Sequence, residues 1–169
     1  EKRIININGG DIVINTTSYT QISKLFGQST SLRYRGVILV FLEIDTTPVF
    51  PKGVDFVYID DPKVHFNRVS DQNSFVKVKD KKSTIICCEI TYSDLDYCDT
   101  MEEVQLIEEV KGQFINLGFC NDKQIVDSKL IKLPEVYPMF FLGYQNALAK
   151  TKEKIDSIGN MYTLGSLAG

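Results

Sequence analysis

Arg68 and Glu89 are the side chains of this sequence with the clearest capacity for chemistry. Arg68 falls in the run 64–69, where alternation puts it on one face with Val64 and Phe66. A guanidinium emerging from such an apolar surface offers a planar fork for phosphate or carboxylate. It can equally be a structural arginine paired with a nearby carboxylate such as Asp71 or Glu89, and the residue pattern leaves both open. Glu89 shares a strand face with Ile85 and Cys87, where a carboxylate has to be paired or line a wet cavity. Tyr58, Tyr92 and Tyr137 are candidate cavity walls, because a phenol combines apolar area with a hydroxyl handle, although each also suits ordinary packing. His65 is the only histidine; it points away from Arg68 along the run and reads as structural.

No self-sufficient catalytic set surrounds these residues. A single histidine with no serine or cysteine nucleophile beside it argues against a triad. The sequence contains no GxGxxG and so carries no dinucleotide fingerprint of its own. Cys87 and Cys88 are adjacent in a strand and point to opposite faces, while Cys98 and Cys120 lack a CxxC partner. Four zinc ligands at workable spacing are therefore not on offer. Reduced thiols packed as small hydrophobes, in a cytoplasmic protein, are the expectation. Nineteen basic and 22 acidic residues give a net charge of −3, without the basic surface that nucleic acid binding requires. Lys77, Lys79, Lys81 and Lys82 flank Asp80 between two strand-like runs and read as a solvated hairpin tip. No apolar stretch approaches the length of a membrane span, and no signal-peptide pattern opens the sequence.

The elements that position these side chains follow from spacing. Residues 3–7 and 11–15 alternate around Asn8-Gly9-Gly10, a hairpin signal. Thr16 or Thr17 can cap a helix on which Tyr19, Ile22 and Phe26 share a face, with Gly27 as its stop. The unbroken apolar run 37–42 predicts a strand buried on both faces. Runs 54–59 and 64–69 are two strands around the turn Asp60-Asp61-Pro62, and 75–78 with 84–91 form another antiparallel pair. Thr100 and Glu103 fit a capping box for a helix with the stripe Val104, Ile107, Val110, Phe114 and Leu117, ended by Gly118. Residues 129–133 alternate as a strand that Pro134 limits. Tyr144, Leu148, Ile155 and Ile158 give one face of a last helix closed by Gly159, and 161–164 is a short final strand. Several strands with three segregated helices make an α+β fold, a mixed and mainly antiparallel sheet with helices packed on it.

Two late stretches carry a resemblance. They are Leu-Pro-Glu-Val-Tyr-Pro-Met-Phe-Phe-Leu-Gly-Tyr at 133–144 and Asn-Met-Tyr-Thr-Leu-Gly-Ser-Leu-Ala-Gly at 160–169, with the helix between them. Upstream come Asp11-Ile-Val-Ile-Asn-Thr, Leu32-Arg-Tyr-Arg, and Phe56-Val-Tyr-Ile-Asp-Asp-Pro ahead of Phe66-Asn-Arg-Val-Ser. Cys88-Glu-Ile-Thr then closes the strand-like run 84–91. In this order, over nearly the whole chain, the motifs resemble the C-terminal part of FAD-dependent amine-oxidase-type flavoproteins. The likeness is to the branch near protoporphyrinogen oxidase-like proteins and UDP-galactopyranose mutase. The chain departs from that pattern at Ser166, where the family has Arg after the glycine.

The resemblance implies a substrate-binding sheet domain over 31–143, flanked by fringes of an FAD-binding domain at 1–30 and 144–169. It implies a parent that is an oxidoreductase or a flavin-dependent nucleotide-sugar isomerase, the latter serving surface polysaccharide synthesis. Arg68, Tyr58, Tyr92, Tyr137 and Glu89 would then face the substrate, and Thr16, Gly165 and Ser166 the FAD. The chain opens on Glu1 and its last strand leads to a glycine turn without the usual helix, so a piece of a larger protein is expected. Its partner would be the missing FAD-binding half, without which it should neither retain FAD nor turn over substrate. A stand-alone α+β ligand- or protein-binding module without catalysis is the competing expectation.

Overall fold

The computed structural model describes residues 6–46, 48–76 and 82–164. In chain order the elements are β1 (Val13–Asn15), α1 (Tyr19–Leu25), β2 (Tyr34–Ile44), β3 (Phe56–Tyr58), β4 (Arg68–Asp71), β5 (Thr84–Tyr92), α2 (Tyr97–Thr100), α3 (Glu103–Asn116), β6 (Ile125–Pro138), α4 (Tyr144–Asp156) and β7 (Met161–Thr163). Short 3₁₀ turns occupy Gln72–Phe75 and Asp122–Gln124. The chain divides into two compact units, Arg35–Val136 and the combination of Glu1–Tyr34 with Tyr137–Gly169.

The unit Arg35–Val136 is an α+β layer pair. Its five-stranded sheet runs in the order β3-β4-β5-β2-β6, and the pairs β3–β4, β4–β5 and β5–β2 are antiparallel. Ile38, Val40, Leu42 and Ile44 of β2 and Ile86, Cys88 and Ile90 of β5 point to one side, onto Leu106, Val110 and Phe114 of α3. Each such aliphatic side chain gains about 1.5–3 kcal/mol from burial, so α3 is the lid that seals this face. The run 37–42 was expected to be buried on both faces. From Ile38 onward only alternate residues of β2 are fully covered, because α3 packs on a single side; Leu39, Phe41 and Glu43 remain partly open, while Val37 is buried on their face.

Several local expectations shift for identifiable reasons. The stripe on α3 is Leu106, Val110 and Phe114, while Val104 is 74% exposed. Residues 104 and 106 lie about 200° apart on a helix, so both cannot face the sheet. No capping box forms: the α3 cap is Glu102, without a side-chain bond, and Thr100 donates its hydroxyl to the Tyr97 carbonyl within α2. Leu117 and Gly118 (φ +80°) do end α3. Pro134 lies inside β6 rather than ending it, which an edge strand tolerates. The run 64–69 is a strand only from Arg68, since Val64 N–H bonds back to the Asp61 carbonyl. That break sends Phe66 into the core and Arg68 to the other face, so the two do not share a surface. Phe75 closes a 3₁₀ turn instead of opening a strand; Lys77, Lys79 and Lys81 lie outside the described residues.

The second unit pairs β1 with β7 in parallel, Ile14 opposite Tyr162. Tyr19, Ile22, Leu32, Ile155 and Met161 form its core beneath α1 and α4. The cap of α1 is Ser18, whose Oγ accepts from Gln21 N–H at 3.1 Å; Thr17 instead serves the Asn15 carboxamide. Gly27 (φ +65°) stops that helix, and Phe26 is left exposed. The Asn8 turn closes through Asp11 N–H, but residues 1–5 of the expected hairpin lie outside the described residues. Alternation places Ile12 and Ile14 beside Tyr162 and Leu164 on the face away from that core, and all four are more than half exposed. No helix among the described residues is long and apolar enough to cross a membrane.

Candidate functional site: the open face of the sheet

Because α3 seals one side of the five-stranded sheet, the alternate residues of β2–β5 line the other. Two cross-strand rows result. One is Tyr58, Arg68, Glu89, Leu39; the other, two residues along, is Phe56, Ser70, Cys87, Phe41. Arg68 grips Glu89 in a two-pronged pair, Nε to Oε1 at 2.8 Å and Nη2 to Oε2 at 2.7 Å. The arginine side chain is 37% exposed and the glutamate 13%. Arg68 is thus paired with a carboxylate, that of Glu89, on the open face. A bidentate pair of this kind is strong and directional, and it neutralises the row it occupies.

The second row adds polar groups. Ser70 is 6% exposed, and its Oγ accepts from Gln72 Nε2 at 2.8 Å. Gln72 opens the 3₁₀ turn Gln72–Phe75, which Asp71 pins in place: its Oδ1 accepts from Asn73 N–H and from the Thr84 hydroxyl. Asn73 Nδ2 donates to the Ser83 carbonyl, tying the turn to the start of β5. Phe56, Arg68, Ser70, Gln72, Phe75 and Glu89 line an open cavity of about 340 Å³. Tyr58 stands beside it, 68% exposed, edge-on to Phe56 with ring centroids 5.7 Å apart. The Cys87 thiol is pushed up to about 12 by burial first and by the Glu89 charge second, with Arg68 pulling the other way. It is a neutral, poorly nucleophilic neighbour at physiological pH.

The remaining sequence candidates fall elsewhere. Tyr92 is an odd number of residues from Glu89 and therefore lies on the sealed face, buried against Gly36 and beneath Lys132 Nζ at 5.0 Å from its ring. Tyr92 and the Arg68–Glu89 pair are therefore on opposite faces of the sheet. Tyr137 is half-exposed near the end of β6, in the other unit. His65 Nε2 meets Glu109 Oε2 at 2.7 Å, and its N–H donates to Gln113, so it fastens the β3–β4 connection to α3. Thr16 is exposed at the end of β1; Gly165 and Ser166 lie outside the described residues. Phe56 and Ser70 were legible from alternation around Tyr58 and Arg68. Gln72 and Phe75 were not, since their placement depends on a 3₁₀ turn in an apparent strand.

The β1–α1 connection, Thr16-Thr17-Ser18, has no glycine; its Thr17 amide donates to Asn15, and the Gln21 amide in the first turn of α1 donates to Ser18. No cluster of three or more metal-ligating side chains occurs among the described residues.

No family model matches the sequence, and no curated protein does. Solved structures do match in fold. A reduced UDP-galactopyranose mutase superposes with a TM-score of 0.73 at 16% identity over 94% of this chain. A putative protoporphyrinogen oxidase from Exiguobacterium sp. 255-15 gives 0.66 at 11% identity over 93%. The chain spans 36% of the length of each. The fold is thus the one seen in both kinds of protein that the sequence motifs resemble.

Proposed function

We propose that the unit Arg35–Val136 is the substrate-binding sheet of an FAD-dependent flavoprotein, an oxidoreductase or a flavin-dependent nucleotide-sugar isomerase. The other unit is then the fringe of its cofactor domain. The observation that carries this reading is the asymmetry of the sheet. One face is closed by α3, while the other holds a charge-paired arginine, aromatic rims and a cavity, in a fold shared with a mutase and an oxidase. Arg68 and Glu89 form the floor that orients substrate, and Tyr58 is its aromatic margin. By the resemblance, Tyr137 faces substrate as well, and Thr16, Gly165 and Ser166 stand on the FAD side. FAD itself is gripped by a glycine-rich half outside this chain, and it supplies the redox chemistry. The isomerase alternative places the parent in cytoplasmic synthesis of surface polysaccharide.

The bare apolar face of Ile12, Ile14, Tyr162 and Leu164 supports a covering half over a stand-alone module. Parallel strands are normally covered on both sides. The test is twofold. The purified chain, mixed with FAD and passed through a sizing column, should emerge colourless. Co-expressed with the flanking sequence, which should encode a GxGxxG strand–turn–helix, it should emerge yellow. Retention of FAD by the chain alone, or flanks without that motif, would overturn the reading.

A further inference from the structure

The geometry points to a specific ligand chemistry for the cavity on the open face: an uncharged planar ring presenting an N–H beside a carbonyl, read by Gln72 and Ser70. This rests on the substrate-face reading above and narrows it. Arg68 and Glu89 carry opposite charges, so the described lining offers the ligand no net charge, and an anion approaching the remaining guanidinium N–H groups would meet the Glu89 carboxylate beside them. What the cavity does offer is a donor next to an acceptor. Ser70 Oγ receives the Gln72 amide proton, which leaves the Ser70 hydroxyl proton without an acceptor among the described residues. Gln72 Oε1 is likewise left without a donor among them. Ser70 is a buried residue, and a hydroxyl proton left without an acceptor there costs stability unless a ligand uses it. Phe56, about half exposed, and Phe75, mostly exposed, flank these groups and supply flat apolar walls for a ring. A lactam edge satisfies both at once: its carbonyl accepts from Ser70 and its N–H donates to Gln72 Oε1.

The test uses the full chain and small probes followed by amide NMR. 2-Pyridone carries the edge, 1-methyl-2-pyridone lacks the donor, and phenyl phosphate presents an anion. A ligand of this size binds with a Kd of roughly millimolar order. 2-Pyridone should shift the amides of Arg68, Ser70 and Gln72, and the methylated probe should bind about tenfold more weakly, as expected for one lost hydrogen bond. In Gln72→Leu the two should bind alike, with the remaining amide spectrum unchanged. Equal binding of both pyridones to the unaltered chain overturns the donor–acceptor reading. Tighter binding of phenyl phosphate at the same amides overturns the neutral-ligand inference while leaving the substrate face intact. Shifts confined to other residues would remove the cavity as a site altogether.

Discussion

Arg68 and Glu89 stand directly opposite each other on β4 and β5, and Arg68 donates two parallel hydrogen bonds to the carboxylate, 2.8 and 2.7 Å long. A cross-strand pair in this geometry serves two ends. It lets charged side chains occupy a partly covered sheet face, and it occupies the Nε side of the guanidinium with a carboxylate whose charge opposes the approach of anions.

Glu89→Gln should therefore do two things. Losing the charge partner of a half-exposed arginine should cost about 1–2 kcal/mol, read from urea unfolding, since partial solvent access screens the loss. The freed fork should also acquire anions: phenyl phosphate should bind the variant at least tenfold more tightly than the unaltered chain. Unchanged anion binding would show that Glu89 does not mask Arg68.

Gly36 has no room for a side chain. A β-carbon there would overlap the Tyr92 ring, which lies across it from the facing strand. Gly36→Ala should destabilise by about 1–3 kcal/mol, as overpacking does. The double variant with Tyr92→Leu should recover part of that loss. A single variant as stable as the original would mean that the ring moves aside freely.

Ser23 is buried in α1, and its hydroxyl finds no hydrogen-bond partner among the described residues. Replacing it with alanine removes an unsatisfied polar group and improves helix propensity. Ser23→Ala should gain about 0.5–1 kcal/mol in chemical denaturation. A loss of the same size would reveal a partner for the hydroxyl.

Cys87 gives the fold an alkaline weakness. Its thiol ionises near 9.0 when free and only at about 12 in the folded chain. Between those values the unfolded chain releases the proton first, so stability is full below about pH 9 and falls as pH rises. One proton commands at most about 1.4 kcal/mol per pH unit. Stability measured between about pH 9 and 10.5 should fall less steeply in Cys87→Ala than in the unaltered chain. Parallel slopes would count against the shift.

Much of the architecture was legible because it depends on local periodicity. The turn at Asp60-Asp61-Pro62, the alternation of 84–91 and the glycine stops at Gly27 and Gly118 all correspond to observed features. What escaped was set by tertiary packing. Val104 and Leu106 are both apolar, and only the position of the sheet decides which one is buried. The placement of Gln72 and Phe75 depends on Asp71 capping a 3₁₀ turn, a competition between side chain and ladder that alternation cannot register. Arg68 and Glu89 were found as candidates, but their facing registry needed the β4–β5 pairing.

Pro134 is the residue whose position reaches furthest beyond its neighbourhood. It interrupts the amide row of the outermost strand of the five, and Lys129, Lys132 and Glu135 accompany it there. A margin so broken and so charged is a poor template for recruiting an identical strand from another molecule. The long, sticky β2–β5 ribbon can thus be kept in dilute company without stacking into fibres from that side.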